Sequence, residues 1–190
     1  MTTIQLIGLM GQAGAGKDTA ADHLEEVHGF ARYAFAQPMR TMLEAMLVEA
    51  GSDYAYIYEP ALKEQPIPGI GHSYRHLAQT LGTEWGRQHL GADFWLNLAG
   101  LNLGLPHAPI HDRIVITDVR FPNEAAWIQQ HGGKVLRIQR NTAPVRPHIS
   151  EQLMTEIEPW ATVDNFGPVE HLHAQLDALL QSLLAGQAQA

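Results

Sequence analysis

Residues Gly11 to Thr19 read GQAGAGKDT and carry the strongest chemical signal in the chain. Gly11, Gly16 and Lys17 meet the spacing of a phosphate-binding loop: a glycine, four residues, a glycine and a lysine. Such a loop works through its backbone. Glycines let the chain turn tightly enough for successive N–H groups to converge on phosphate oxygens. A helix that starts there adds unpaired N–H donors and a favourable dipole. Lys17 then reaches the β- and γ-phosphates of ATP, and Gly11, Gly14, Ala15, Gly16, Asp18 and Thr19 complete the ATP-binding loop. The position after the lysine commonly carries the hydroxyl that holds Mg²⁺, but here it is Asp18, followed by Thr19. A carboxylate is repelled by a triphosphate unless a metal or water layer intervenes. Asp18 is therefore expected to act through metal-bound water or to face away, and Thr19 to contact the α-phosphate. The rival reading is a Gly-rich strand-to-helix turn without a ligand.

Three further groups of residues offer partners for an acceptor phosphate, for Mg²⁺ or for ATP. In Tyr74–Leu90, Arg75, Gln79, Thr83 and Arg87 recur every four residues and form a drifting polar stripe on a helix. Leu77, Leu81 and Trp85 fall on the opposite side, which is expected to face a core. Gly82 and Gly86 lie near the stripe at about 1 kcal/mol each in a helix interior. They are expected to admit a ligand or another backbone. The planar fork of arginine suits Arg75 and Arg87 to an acceptor phosphate, with Gln79 reading a base edge. Phe94 and Trp95 offer either an aromatic platform or core packing. In RIVITDVRFPNEA, a buried run ends in Asp118, then Arg120 and Glu124. Ligands of open α/β sheets gather at such strand ends, and a terminal acid there organises Mg²⁺ in P-loop proteins. The alternative is a structural Asp–Arg pair before a helix opened by Pro122. Finally, Arg137, Arg140 and Arg146 cluster around a loop, where a mobile arginine can neutralise a transferring group. Ser150 and Glu151 read as an ordinary helix start.

The elements that must position these residues alternate. Strands are expected at Ile4–Leu9, Ala31–Ala36, Arg113–Asp118, Lys134–Gln139 and Ala161–Val163. Helices are expected at Lys17–His28, Met39–Ala50, Tyr74–Leu90, Ala92–Leu103, Pro122–His131, Ser150–Glu158 and Val169–Leu184. Residues 51–73 are rich in Pro and Gly and read as loop or insert. This order implies an α/β fold with a parallel sheet of about five strands between two helical layers. The 190 residues suit one domain, 1–190, with a helical insert at 38–104 and a lid-like segment at 140–158.

The chain has 20 acidic against 12 basic residues, a net charge of -8, which disfavours polymeric nucleic acid as a partner. A small anion needs only a local positive pocket. With no cysteine there is no disulfide or thiolate metal site, and none of the 11 histidines shows metal-ligand spacing on a common face. No signal peptide and no membrane span is recognisable, so a cytoplasmic protein is expected. The four tryptophans and the leucine-rich closing helix fit either a core or a homodimer interface.

Taken together, GQAGAGKDT, FAQPMR, RHLAQTLGTEWGR, DFW, ITDVRFPNEA and HISE make residues 4–165 resemble the phage-type deoxynucleoside monophosphate kinase family. The strings Arg-x3-Gln-x2-Gly-Thr-x3-Arg and Asp-Val-Arg-Phe-x-Asn-Glu are far more specific than the loop. The resemblance implies an adenylate-kinase-like P-loop fold with a core, an acceptor-binding insert and a lid, and transfer from ATP with Mg²⁺ to a deoxynucleoside monophosphate. It implies that Arg75, Gln79, Thr83, Arg87, Trp95, Asp118, Arg120 and Glu124 bind the acceptor. Lys17, Arg140 and Arg146 would be catalytic, and Asp18, Thr19 and Asp118 would meet the metal, directly or through water. The acceptor's 5′-phosphate oxygen is already anionic near pH 7, so the transfer rests on positioning and charge neutralisation. If the chain is phage-encoded, its compartment is the host cytoplasm. The alternatives are a kinase for another phosphorylated acceptor, such as phosphomevalonate or dephospho-coenzyme A, and a nucleotide-binding module without chemistry.

Overall fold

A computed structural model describes residues 5–140 and 153–187. The strands are β1 (Gln5–Met10), β2 (Ala31–Tyr33), β3 (Arg113–Val119), β4 (Lys134–Gln139) and β5 (Ala161–Asp164). The helices are α1 (Lys17–His28), α2 (Gln37–Glu49), α3 (Ala55–Tyr58), α4 (Tyr74–Gln79), α5 (Phe94–Leu103), α6 (Pro122–Gln130) and α7 (Val169–Gln187). A π-helical segment, Thr80–Leu90, continues α4. Two compact units result, one of residues 1–34 and 103–190 and one of residues 35–102.

The first unit holds the sheet, ordered β2-β3-β1-β4-β5, with every neighbouring pair parallel. β1 reads QLIGLM and is central, and a strand covered on both faces needs that unbroken apolar run. Ile7, Leu9, Val115, Leu136, Ile138 and Val163 face α1 and α7, meeting Ala20, Ala21, Leu24, Leu172 and Leu176. On the other face Gly8 makes room for α6: a Cβ there would lie 2.5 Å from Ile128 Cδ1 and 2.9 Å from Val119 Cγ2. β2 spans three residues, not the six expected, because it is an edge strand paired only through Ala31–Tyr33. His23 and His28 tie α1 to Asp177 of α7, and their hydrogen bonds hold its carboxyl below the ordinary value. A depressed carboxyl pKa adds stability above its unfolded value and loses it as pH falls through the folded one.

One irregularity marks the end of β3. Gly8 pairs with Ile116, but Met10 pairs with Val119, so β3 holds one residue more than β1 across this step. Without that bulge Asp118 would share the parity of Ile114 and Ile116, toward α6. The bulge gives that parity to Val119, beside Gly8, and re-aims Asp118.

The second unit is helical around Leu43, Leu47, Ile57 and Ile67, with Met39, Tyr74, Leu77 and Leu81 packed against them. The single α-helix expected over Tyr74–Leu90 turns π-helical at Thr80. Trp95 explains why. Its Nε1–H donates to the Gly82 carbonyl at 2.8 Å, and its ring fills the space where a Gly86 Cβ would lie, 2.5–2.6 Å from indole atoms. The wider i→i+5 turn frees carbonyls from the α pattern, and the two glycines let the indole in. The approach expected at these glycines is thus made by a tryptophan. The α-helical facing also fails downstream: Leu77 and Leu81 pack inward as expected, but Trp85 is 37% exposed while Trp95 is 4% exposed.

A helical Gly→Ala substitution ordinarily gains about 1 kcal/mol. Gly86→Ala is expected to lose about 1–3 kcal/mol instead, because its methyl collides with the Trp95 ring. Urea unfolding of the two proteins gives the sign.

Candidate active site

The loop after β1 has the backbone shape that an anion requires. Gly11, Gly14 and Gly16 sit at φ 151, 75 and 100, in the left-handed half of backbone space. A Cβ at Gly11 would lie 2.4 Å from the Ile138 carbonyl oxygen, so β4 also demands a glycine there. Ala15 is buried, and its N–H closes the turn on the Gln12 carbonyl at 3.1 Å. α1 begins at Gly16 with no side-chain cap, and its first helical bond runs from Ala20 N–H to Gly16 C=O at 3.0 Å. The N–H groups of Lys17, Asp18 and Thr19 precede that first bond, so the helix gives them no acceptor. Lys17 Nζ donates to the carbonyls of Gly11 (2.8 Å) and Gln12 (2.9 Å), which holds its charge at the mouth of the loop. A phosphate arriving there would find a cation and convergent donors.

Asn165, which the sequence reading did not single out, braces this loop. Its Nδ2–H donates to the Ala15 carbonyl at 2.9 Å, and its own N–H donates to the Gln139 carbonyl at 2.8 Å. A Cβ on Gly16 would lie 2.2 Å from Asn165 Nδ2, so the Asn165 brace requires a glycine at position 16. The only sequence signal was its place just past the last strand, at the carboxyl edge of the sheet. Beside the loop, Arg32 of β2 binds Asp18 through Nη2 and Asp22 through Nη1, both at 2.6 Å. The Asp18 carboxylate is thus held toward β2, and Thr19 is exposed on the first turn of α1.

At the end of β3, Asp118 is half-buried at the bulge and Arg120 is exposed. Glu124 is 3% exposed, and its Oε2 accepts from the N–H groups of Arg120 (2.7 Å) and Phe121 (3.1 Å). With Pro122 opening the helix, this is the carboxylate half of a capping box. Glu124 therefore shapes the turn that presents Arg120. Arg137 donates to the carbonyls of Ile157 (3.0 Å) and Met154 (3.4 Å), while Arg140, just past β4, is exposed. Arg146, His148, Ser150 and Glu151 lie outside the described residues, as does most of the segment expected as a lid.

In the helical unit Arg75 and Gln79 are exposed on α4, and Thr83 and Arg87 are half-buried on the π segment. Arg75 pairs with Glu64 on the surface, and Arg87 Nη1 donates to the Ala92 carbonyl at 3.4 Å. Trp95 is enclosed by Gly82 and Gly86, so its ring supports the π segment and offers no open face. A cleft of about 540 Å³ between α6 and residues 156–160 contains none of the expected site residues. No helix among the described residues is long and apolar enough to cross a membrane.

Residues 71–176 match the family described as deoxynucleotide monophosphate kinase. A deoxynucleotide monophosphate kinase homologue from Acanthamoeba polyphaga mimivirus is 32% identical over 186 residues, covering 90% of this chain and 93% of its own. The deoxynucleoside-5′-monophosphate kinase of Escherichia phage T5 is 25% identical over 182 residues, covering 66% and 72%. Among solved structures, TT1252 from Thermus thermophilus has a TM-score of 0.47 at 19% identity, covering 95% of this chain and 98% of its own. Shikimate kinase from Acinetobacter baumannii has a TM-score of 0.47 at 16% identity, covering 97% and 96%.

Removing the brace tests the loop. Asn165→Ala deletes one hydrogen bond of about 1 kcal/mol, so the Kd for an ATP analogue is expected to rise about fivefold. Calorimetric titration of both proteins measures it, and an unchanged Kd would deny Asn165 this role.

Proposed function

We propose, because this chain belongs to the deoxynucleotide monophosphate kinase family, that it transfers the γ-phosphoryl group of ATP to the 5′-phosphate of a deoxynucleoside monophosphate. The observation that carries this reading is the uncapped, glycine-shaped start of α1 with Lys17 held across it. A 5′-phosphate oxygen of the acceptor attacks the γ-phosphorus, the bond from that phosphorus to the ADP oxygen breaks, and a diphosphate and ADP leave. No strong base is needed, so the protein's work is alignment and charge neutralisation.

Lys17 exchanges its two carbonyl acceptors for phosphate oxygens, and the N–H groups of Gly14 and of Gly16 to Thr19 hold the rest of the chain of phosphates, while the Ala15 N–H keeps the turn closed on Gln12. Asn165 keeps Ala15 and Gly16 in the turn that aims them. The donors offered to a metal are hard oxygens, the Asp118 carboxylate at the bulge and the Thr19 hydroxyl, and they suit Mg²⁺. Asp18, paired with Arg32, is left a role through water. When bound with ATP, Mg²⁺ would supply neutralisation of phosphate charge.

Residues 35–102 are assigned to the acceptor. Arg75 grips its phosphate, Gln79 reads a base edge, and Thr83 and Arg87 extend the same surface. The Arg75–Glu64 pair is exposed, and such pairs contribute about 0–1 kcal/mol, so a dianionic phosphate displaces Glu64 readily. Trp95 acts as a positioning residue, since it holds the π segment that carries Thr83 and Arg87. Glu124 positions Arg120 toward the acceptor in the same indirect way. Arg140 and Arg146 are assigned to neutralising the transferring group, within a lid-like segment at 140–158. The reaction is assigned to the cytoplasm because its assigned substrates are small nucleotides.

Lys17→Ala is expected to lower kcat at least about a hundredfold while circular dichroism shows the fold kept. Normal turnover by the folded variant would remove Lys17 from the mechanism. Arg75→Ala is expected to raise the acceptor KM about tenfold or more with the ATP KM unchanged, since a charge-assisted bond is lost. Coupled ADP release with a panel of deoxynucleoside monophosphates, phosphomevalonate and dephospho-coenzyme A tests the reaction itself. Turnover with only a non-nucleotide acceptor, or with none, would overturn it.

A further inference from the structure

At the far end of α1 from the phosphate loop, α1 and α7 assemble a second polar cluster. His23 Nε2 lies 2.7 Å and His28 Nε2 2.6 Å from one atom, Asp177 Oδ1. The three atoms all lie within 4.8 Å of one another. His23 is 8% exposed, while His28 and Asp177 are open to solvent on one side at 26% and 40%. His173, one turn before Asp177 on α7, stacks on His23 with ring centroids 4.0 Å apart and fixes that ring. The sequence concealed this group. His23 and His28 are five residues apart, about 140° round a helix, and Asp177 is remote in the chain. The two histidines lack metal-ligand spacing on α1 itself, and it is the packing of α7 on α1 that brings them to one carboxylate.

We propose that His23, His28 and Asp177 form a binding site for a divalent cation of the zinc class, separate from the metal that accompanies ATP. Two imidazole nitrogens and one carboxylate are a zinc-type donor set, whereas Mg²⁺ takes oxygen and water. Two steps bring the site to a coordinating arrangement. The two N–H···O bonds break, and both imidazoles take the tautomer protonated at Nδ1, which frees an Nε2 lone pair on each. The ligand atoms then sit about 2.0–2.2 Å from the ion, which requires them to stand roughly 3.3–3.5 Å apart. His28 and Asp177, which solvent reaches, supply that small opening while His23 stays seated against His173. The fourth position faces solvent and takes water. The chelate ties the end of α1 to the middle of α7. Along α1, His23 lies about 9 Å and His28 about 17 Å from Lys17, so the cluster is distinct from the phosphate loop at the start of the helix.

The test uses the whole chain, stripped with a chelator and free of nucleotide and phosphate. Zn²⁺ is titrated by calorimetry and Co²⁺ by visible absorption. The expected result is a single saturable equivalent, a low-coordinate Co²⁺ spectrum, and a Tm rise of about 5–10 °C at a hundredfold excess over Kd. His28→Gln and Asp177→Asn, both checked by circular dichroism, are expected to lose the equivalent and the Tm rise. If one of them does not fold, the other decides. The double variant His72→Asn/His76→Asn removes a separate stacked pair, 4.7 Å apart, and is expected to bind unchanged. Absence of saturable binding, binding unaffected in the cluster variants, or loss in the His72/His76 variant would each overturn the proposal.

Discussion

A polyphosphate can be held by main-chain N–H groups only where the chain bends so that several of them point to one place. That bend is the constraint around which the sheet-bearing unit is arranged. It needs backbone angles open to glycine at Gly11, Gly14 and Gly16, and it needs a helix whose first donors are left uncapped. Neighbouring strands then enforce the shape. The Ile138 carbonyl of β4 crowds Gly11, and Asn165 after β5 crowds Gly16 while binding the Ala15 carbonyl. Three consecutive positions of the sheet, β1, β4 and β5, thus end on one loop.

The same edge of the sheet organises the acidic strand end. A one-residue bulge in β3 transfers the α6-facing parity from Asp118 to Val119, where a valine packs beside Gly8. Glu124 closes the following turn by accepting two N–H groups. A short stretch therefore contains one half-buried carboxylate at the bulge and one buried in the turn, and the strand-end pattern and the family resemblance had placed both in a ligand set. Sorting them takes hydrogen-bond geometry, because the residue types are identical in charge.

In the helical unit an aromatic ring sets the backbone. Trp95 uses the space of Gly86 and the carbonyl of Gly82, and the helix carrying them widens into a π segment. The stripe of Arg75, Gln79, Thr83 and Arg87 is thus laid on two helical geometries, the first pair on α4 and the second on the wider turn. Four-residue spacing reads as a gentle drift on an α-helix, but it means something different where each turn holds more residues.

Local chemistry was legible in the residues themselves. The glycine spacing and Lys17 announced the loop, short apolar runs announced β1 and the first part of β3, and α1 begins and ends where Lys17 and His28 suggested. These features depend on backbone angles and on burial, both of which a short window of sequence encodes. What only the tertiary structure decided is which side chains meet. Asn165 reaching Ala15, Trp95 entering the glycines, the bulge that turns Asp118, and His23 and His28 converging on Asp177 each join residues whose relation comes from packing. A propensity is a property of neighbours along the chain, whereas a contact between helices or strand ends exists only after loops have closed and the core has fixed its register.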